Sequence, residues 1–195
     1  MSESNSTTMQ EVIKEQTNIA GLFIANLALN DEPENWISEN YQQEKMEAIG
    51  LPSTGSVKTY NFSEKQVGVT RGLHAEPWDK FISVSKGKIF GVYLDLRRGK
   101  NFGHIVTAEI DPGKVVFVPR GVANGYQTLE NSVNHNSYTV TENYPIEHTH
   151  LCVNAFDKNL AINWPIPQEK AIVLKTESLY PTLGQLMIEL TNKKQ

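Results

Sequence analysis

The 195 residues include 39% apolar and 21% charged side chains, a composition ordinary for a single globular domain with a sizeable core. The formal net charge of -4 argues against a surface for nucleic acid or an anionic membrane, although a local basic pocket for a diphosphate remains compatible with it. The single cysteine, Cys152, excludes an internal disulfide. We expect it to be a small buried residue in a protein of the reducing cytoplasm.

The N-terminal part predicts a tail followed by a strand. Residues 1–18, rich in Ser and Thr at their start, are expected to be flexible. The apolar run from Ile19 to Leu29 is much shorter than the roughly 20 residues of a membrane-spanning helix. It also lacks the basic start and cleavage pattern of a signal peptide. We therefore predict a strand packed on a sheet, in a soluble protein without a membrane partner.

The rest of the chain predicts an all-β domain with short helices. A helix is expected near Gln42–Ala48, and from Val57 to Trp164 short strands and turns recur about every ten residues, as in an antiparallel sandwich or barrel. Leu183, Leu186 and Leu190 have helical spacing, which predicts a terminal helix within residues 181–193. We expect one domain over residues 19–195.

A short stretch at the end of one predicted strand carries the chemistry. Arg71-Gly72-Leu73-His74 is followed six residues later by Lys80, so an imidazole, a guanidinium and an ammonium lie within ten positions. Histidine takes up a proton near neutral pH, and cations stabilise the enolate oxygen formed when a proton next to a carbonyl is removed. This segment alone also fits a histidine with a purely structural role.

Three longer stretches carry a family resemblance. The runs "RGLHAEPWDK", "GVYLDLRRGKNFG" and "FVPRGVANGY" resemble the dTDP-4-dehydrorhamnose 3,5-epimerase family, and its streptococcal branch in particular. The resemblance runs from about Ile19 to Pro165 and is densest between Asn61 and Tyr144. It implies a double-stranded β-helix (a cupin-like jelly roll) that works without metal or cofactor. It also implies a homodimer that inverts C3 and C5 of a dTDP-4-keto-6-deoxyhexose on the way to dTDP-L-rhamnose.

The resemblance also implies catalytic roles. His74 corresponds to the base that removes protons beside the 4-keto group, Lys80 to the lysine near the keto oxygen, and Arg71 to an accompanying cation. Tyr138 corresponds to the acid that returns a proton from the opposite face, because one group on one face would restore the original configuration. Counting back from Pro181, Glu177 occupies the place of the aspartate that partners the base.

Other positions correspond to substrate-binding residues. Asn61 matches an asparagine of the family, Asn124 stands where a histidine is common, and Trp78 and Tyr144 are candidates for stacking on the nucleotide base, with packing as an equal alternative. Glu34 stands where the family has an arginine for the diphosphate, and a carboxylate there opposes binding.

That departure keeps a second hypothesis open. In this second hypothesis the protein is a catalytically altered or silent cupin that binds a different sugar nucleotide or a partner, or it is an epimerase that acts at one carbon only. A metal site is a further alternative, since His148 and His150 have the spacing that places two rings on one strand face. A downstream glutamate at cupin spacing is missing, so we favour solvated strand residues.

Overall fold

The computed structural model describes residues 13–27, 30–31, 36–37, 42–50, 58–130, 134–140 and 150–192, with backbone alone at 30–31, 36–37, 58–62 and 134–140. Two α-helices lie in these ranges, α1 (Gln43–Ala48) and α2 (Leu183–Asn192). The strands are, in chain order, β1 (Ile13–Gln16), β2 (Phe23–Asn26), β3 (Asn30–Asp31), β4 (Trp36–Ile37), β5 (Lys58–Glu64), β6 (Val69–Ala75), β7 (Lys80–Val84), β8 (Ile89–Asp95), β9 (Ile105–Ile110), β10 (Lys114–Val118), β11 (Val122–Thr128), β12 (Asn134–Val140), β13 (Leu151–Cys152) and β14 (Ile172–Val173).

Two antiparallel sheets form the body of the domain. The first has the strand order β1-β2-β10-β7-β12-β5, and the second has the order β13-β6-β11-β8-β9. The short strand β14 adds to β6 in parallel, and β3 pairs with β4 in a small separate sheet. The predicted all-β fold, a double-stranded β-helix with short helices, is confirmed.

The core between the sheets is filled by alternate residues of the central strands. Ile82 of β7 and Val116 of β10 belong to the cluster between the sheets, with residues of β8 and β11 opposite. Their neighbours Phe81 and Phe117 point to the other face of the first sheet and pack with Met46 of α1. Both faces of these strands are buried, which explains their near-continuous apolar sequence.

Helix α2 covers the outer face of the second sheet. Leu186 of this helix packs in a cluster with Leu73 of β6 and Val92 of β8. A capping box starts the helix: the Gln185 N–H donates to Thr182 Oγ1 at 3.2 Å, and the Thr182 N–H donates to Gln185 Oε1 at 2.8 Å. The helices predicted near residues 42–48 and 181–193 are thus both present.

The predicted boundary between tail and domain needs correction. Ile13–Gln16, inside the segment predicted to be a flexible tail over residues 1–18, form β1 and pair with β2. The side chains of β1 are mostly exposed, so the sequence shows no alternation of apolar and polar residues there that would indicate a strand.

Cys152, predicted to be buried, is half-buried. Across the described ranges, no helix is long and apolar enough to cross a membrane.

Strand β6 carries one extra residue relative to its neighbour β11. Arg71 pairs with Tyr126 and His74 pairs with Asn124, so three steps along β6 correspond to two along β11. Residues three apart in a regular strand face opposite sides, and a bulge of one residue restores them to one face. Arg71 and His74 therefore both face the space between the sheets, and Gly72 is the inserted residue.

The insertion depends on two glycines that touch across the strands. Gly72 has φ +108°, and a Cβ there would lie 2.6 Å from the Cα of Gly125. A Cβ at Gly125 would lie 2.5 Å from the carbonyl oxygen of Arg71 and 2.6 Å from Leu73 Cδ2. No side chain fits on either residue without moving β6 away from β11.

Gly125→Ala should therefore lower the free energy of unfolding by about 3 kcal/mol, because the new methyl group meets backbone that cannot give way. The matched control is Gly184→Ala in the first turn of α2, where a Cβ meets nothing within 4 Å. Urea denaturation of both variants checks the prediction. Equal stability of the two would contradict the close contact.

Candidate active site

His74 is held in the second sheet by neighbours on both sides. Its backbone pairs with Asn124 of β11 and with Cys152 of β13. The side chain is 30% exposed, so the imidazole is accessible from the space between the sheets while most of it is packed.

Glu177 reaches His74 through a gap in the edge of β6. Strand β14 pairs with the first two residues of β6 and β13 with the last two, and Gly72 lies between them. Glu177 and Gly72 line the same small cavity there. Glu177 Oε1 lies 3.5 Å from His74 Nε2, and the carboxylate side chain is only 6% exposed. Within the described residues, Glu177 Oε2 has no hydrogen-bond partner.

Burial sets the resting charges of this pair. It lowers the pKa of His74 to about 4, with Glu76 opposing the shift and Lys80, His150 and Arg71 adding to it. Burial also raises the pKa of Glu177, against the influence of Arg71 and of the Gly72 N–H. His74 is consequently a neutral imidazole at physiological pH, free to accept a proton.

Lys80 lies at the start of β7 with its ammonium group buried between the sheets. Nζ donates to the carbonyl oxygen of His74 at 3.2 Å and also to Glu76 Oε2 and Asn124 Oδ1. Three acceptors match the three N–H groups of the ammonium. Burial lowers the pKa of Lys80, and the carboxylate of Glu76 opposes that shift. The lysine thus places a fixed cation directly beside the strand that carries His74.

Arg71 is fixed by a carboxylate from the opposite sheet. Its Nε and Nη2 donate to Glu64 Oε1 and Oε2 at 2.9 and 3.4 Å, and the Tyr126 hydroxyl donates to Oε1 at 3.0 Å. Burial lowers the pKa of Arg71, but Glu64, together with Tyr126 and Glu177, raises it above its usual value. The guanidinium is thus a permanent positive charge close to both His74 and Glu177.

The structure places the remaining predicted residues as follows. Asn124 lies opposite His74 and contacts Lys80. Trp78 is half-buried with its ring edge-on to His150, the centroids 5.9 Å apart. Tyr138 of β12 pairs with Ile82, and Asn61 of β5 pairs with Ser137, one register position away.

Three predicted positions, Glu34, Tyr144 and His148, lie outside the described residues. Within the residues that are described, no group of three or more His, Cys, Asp or Glu side chains is arranged to hold a metal ion.

Three residues of the site were not predicted from the sequence. Glu76 neutralises Lys80, Glu64 anchors Arg71, and Tyr180 contacts the imidazole, with its hydroxyl 3.2 Å from His74 Nε2. Glu76 lies in the connection between β6 and β7, where no regular spacing indicates that it pairs with Lys80. Nothing in the local pattern around Tyr180 indicates a contact with a residue so distant in the chain.

Comparisons with known proteins settle the family. The model of the dTDP-4-dehydrorhamnose 3,5-epimerase family matches residues 16–184, a stretch that contains all the site residues described above. The chain belongs to this family of isomerases. The resemblance inferred from the sequence motifs is confirmed.

Individual proteins similar to this chain include streptococcal ones. A RmlC homolog of Streptococcus pyogenes serotype M6 is 40% identical over 158 residues, which cover 77% of this chain and 79% of that protein. The dTDP-4-dehydrorhamnose 3,5-epimerase of Escherichia coli K12 is 27% identical over 182 residues, covering 88% and 95%. Among solved structures, RmlC from Streptococcus suis in complex with dTDP-D-xylose has a TM-score of 0.84 at 36% identity, covering 90% and 93%.

The low pKa of His74 predicts how activity depends on pH. A base works in its unprotonated form, so a pKa near 4 keeps His74 competent well below pH 6.5, the ordinary value for histidine. The acidic limb of the epimerase kcat/KM profile should accordingly lie well below pH 6.5, toward 4. Circular dichroism at each pH monitors folding, and a limb at pH 6.5 or above in folded protein would contradict the burial of the imidazole.

Proposed function

We propose that this protein epimerises a dTDP-4-keto-6-deoxyhexose at C3 and C5, converting dTDP-4-dehydro-6-deoxy-D-glucose to dTDP-4-dehydro-L-rhamnose for dTDP-L-rhamnose synthesis. The observation that supports it most is the position of the His74 imidazole. The buried carboxylate of Glu177 lies 3.5 Å from Nε2, and the Lys80 ammonium donates to the backbone carbonyl oxygen of His74. Membership of the epimerase family supports the substrate class.

In this proposal His74 is the base. The protons at C3 and C5 are acidic because each carbon neighbours the 4-keto group, and the electron pair of the broken C–H bond moves onto the keto oxygen. The imidazolium that forms is stabilised by Glu177, whose carboxylate is already in place and needs no reorganisation. His74 and Glu177 thus form a pair of opposite charges only while the imidazole carries the substrate proton.

Lys80 stabilises the enolate in this proposal. All three of its N–H groups have acceptors, so the keto oxygen gains a hydrogen bond by replacing one of them. Of the two side chains that accept from Lys80, Glu76 is charged and Asn124 is neutral. The ammonium bonds a negatively charged enolate oxygen more strongly than it bonds the amide oxygen of Asn124. We therefore expect the substrate oxygen to take the position of Asn124 Oδ1.

Tyr138 is the acid that protonates the opposite face of the ring. Its support is positional: Tyr138 pairs in register with Ile82, whose side chain belongs to the cluster between the sheets that His74 also faces. A base on β6 and an acid on β12 come from opposite sheets, as inversion requires.

Other assignments also remain proposals. Asn61 contributes to binding of the substrate, Trp78 and Tyr144 stack on the nucleotide base, and Glu34 occupies the sequence position of the family's diphosphate-binding arginine. We further propose a homodimer that works in the cytoplasm without metal or cofactor. The single thiol, Cys152, is free, which is compatible with a reducing compartment.

Proton exchange tests the reaction. Incubated with dTDP-4-keto-6-deoxy-D-glucose in deuterium oxide, the protein should introduce deuterium at both C3 and C5 with inversion, as observed by NMR. His74→Ala should slow this by about 10²–10⁴-fold, the usual contribution of a general base. His104→Ala, on an exposed histidine, is the matched control. Label at one carbon would indicate a restricted epimerase, and no label from folded protein would reject the function.

Tyr138→Phe separates the two half-reactions. Removing the acid should slow formation of inverted product far more than deuterium uptake, because the base still removes the proton and returns deuterium to the same face. The ratio of inversion to exchange in one NMR time course measures this. An equal fall in both rates would exclude Tyr138 as the acid.

A further inference from the structure

One tight turn brings two different side chains to the same atom of His74. Glu177–Leu179 form a 3-10 turn, closed by a hydrogen bond from the Tyr180 N–H to the Glu177 carbonyl oxygen at 3.2 Å. Residues three apart eclipse in such a turn. The Glu177 carboxylate and the Tyr180 hydroxyl accordingly lie 3.5 and 3.2 Å from His74 Nε2.

The position of Tyr180 is fixed from both sides. Its ring lies edge-on to the imidazole, with centroids 5.4 Å apart and an interplanar angle of 77°. The carbonyl oxygen of the next residue, Pro181, accepts a hydrogen bond of 2.8 Å from the Asn154 N–H, just beyond β13. The phenol is thus held against the imidazole by the backbone on its C-terminal side as well as by the turn.

The second contact of the Tyr180 hydroxyl determines which way its proton points. Cys152 is the register partner of His74 on β13, and its thiol hydrogen-bonds with Tyr180. Burial raises the pKa of the Cys152 thiol, and Cys152 Sγ donates its own proton to the carbonyl oxygen of His150 at 3.9 Å. Sulfur is therefore left as the acceptor for the Tyr180 hydroxyl. Burial, followed by the effects of Cys152 and Glu177, raises the pKa of Tyr180 to about 12, so the phenol stays protonated.

Because the Tyr180 O–H donates its hydrogen bond to sulfur, the phenol oxygen has lone pairs left for His74. A neutral imidazole carries one proton, and at Nε2 that proton finds two acceptors, the phenol oxygen and Glu177 Oε1. At Nδ1 it finds none among the described residues. The proton therefore belongs on Nε2, and Nδ1 keeps the lone pair.

We propose that Tyr180 is a positioning residue for the base, which holds His74 as the Nε2–H tautomer so that Nδ1 takes the substrate proton. The proposal deepens the epimerase function and rests on it. In the step itself, the C–H bond breaks, its proton forms a bond to Nδ1, and its electron pair becomes the enolate. The phenol oxygen goes on accepting from Nε2–H in the imidazolium, as does the carboxylate.

NMR of protein labelled with ¹⁵N-histidine tests the tautomer without any substrate. Two-bond ¹H–¹⁵N correlations distinguish protonated from unprotonated ring nitrogens, and the His74→Ala variant assigns the resonances among the five histidines. At pH 7 we expect Nε2 protonated and Nδ1 not. The opposite tautomer in the wild-type protein would overturn the proposal, whatever the outcome of the exchange experiment.

Variants then test the role of Tyr180. Tyr180→Phe removes one acceptor of Nε2–H, so the pKa of His74 should fall, and kcat should drop by about three- to tenfold with little change in KM. Leu179→Ala is the matched control, because this residue of the same turn is 77% exposed. Unchanged kcat and unchanged His74 resonances in Tyr180→Phe would reject the role.

Cys152→Ala provides an independent variant that keeps the tyrosine. Without sulfur as acceptor, the phenol proton turns toward Nε2, and the Nδ1–H tautomer should grow at the expense of Nε2–H. Cys152→Ser restores an acceptor and should retain the wild-type pattern. If Cys152→Ala leaves the histidine resonances unchanged, sulfur does not orient the phenol and the proposal fails. If the tautomers behave as expected but no sugar nucleotide is deuterated, the epimerase function fails instead.

Discussion

The close contact between Gly72 and Gly125 is the constraint on which the site depends. It permits one extra residue in β6 while both its hydrogen-bonded neighbours stay in place. On the outer face of the sheet Leu73 still packs under α2, and on the inner face Arg71 and His74 lie together. A regular strand would satisfy the core equally well but would place either Arg71 or His74 on the wrong side of the sheet.

Charge inside the sandwich is arranged in fixed pairs around one neutral group. Arg71 is bonded to Glu64, and Lys80 to Glu76, so neither cation is buried without compensation. His74 faces a carboxylate without being charged, since burial lowers its pKa. The surrounding charges are thus already oriented when the imidazole becomes positive, which is the condition for electrostatic stabilisation of a transition state.

Much of this was predictable from the sequence, for physical reasons that also explain the omissions. Alternating strands predicted an all-β fold, and the motif from Arg71 to Lys80 predicted the cations and His74, because these are local patterns. The jelly roll was implied by the resemblance to the family, and Glu177 was found by counting back from Pro181 along that resemblance. Tyr180 and Glu64 were missed, because their contacts depend on how a turn and a facing sheet meet β6, which no local pattern encodes. The start of β1 was missed because an exposed edge strand lacks alternation.

The edge of β6 has a consequence for synthesis of the protein. Its partners β13 and β14 and the turn at Glu177 come late in the chain, and the contact from His74 to Tyr180 spans 106 positions. At ribosomal rates of about 5–20 residues per second, roughly 5–20 s pass before that contact can form. During this interval the nascent chain presents an unpaired strand edge, the feature most prone to pair with a neighbouring chain.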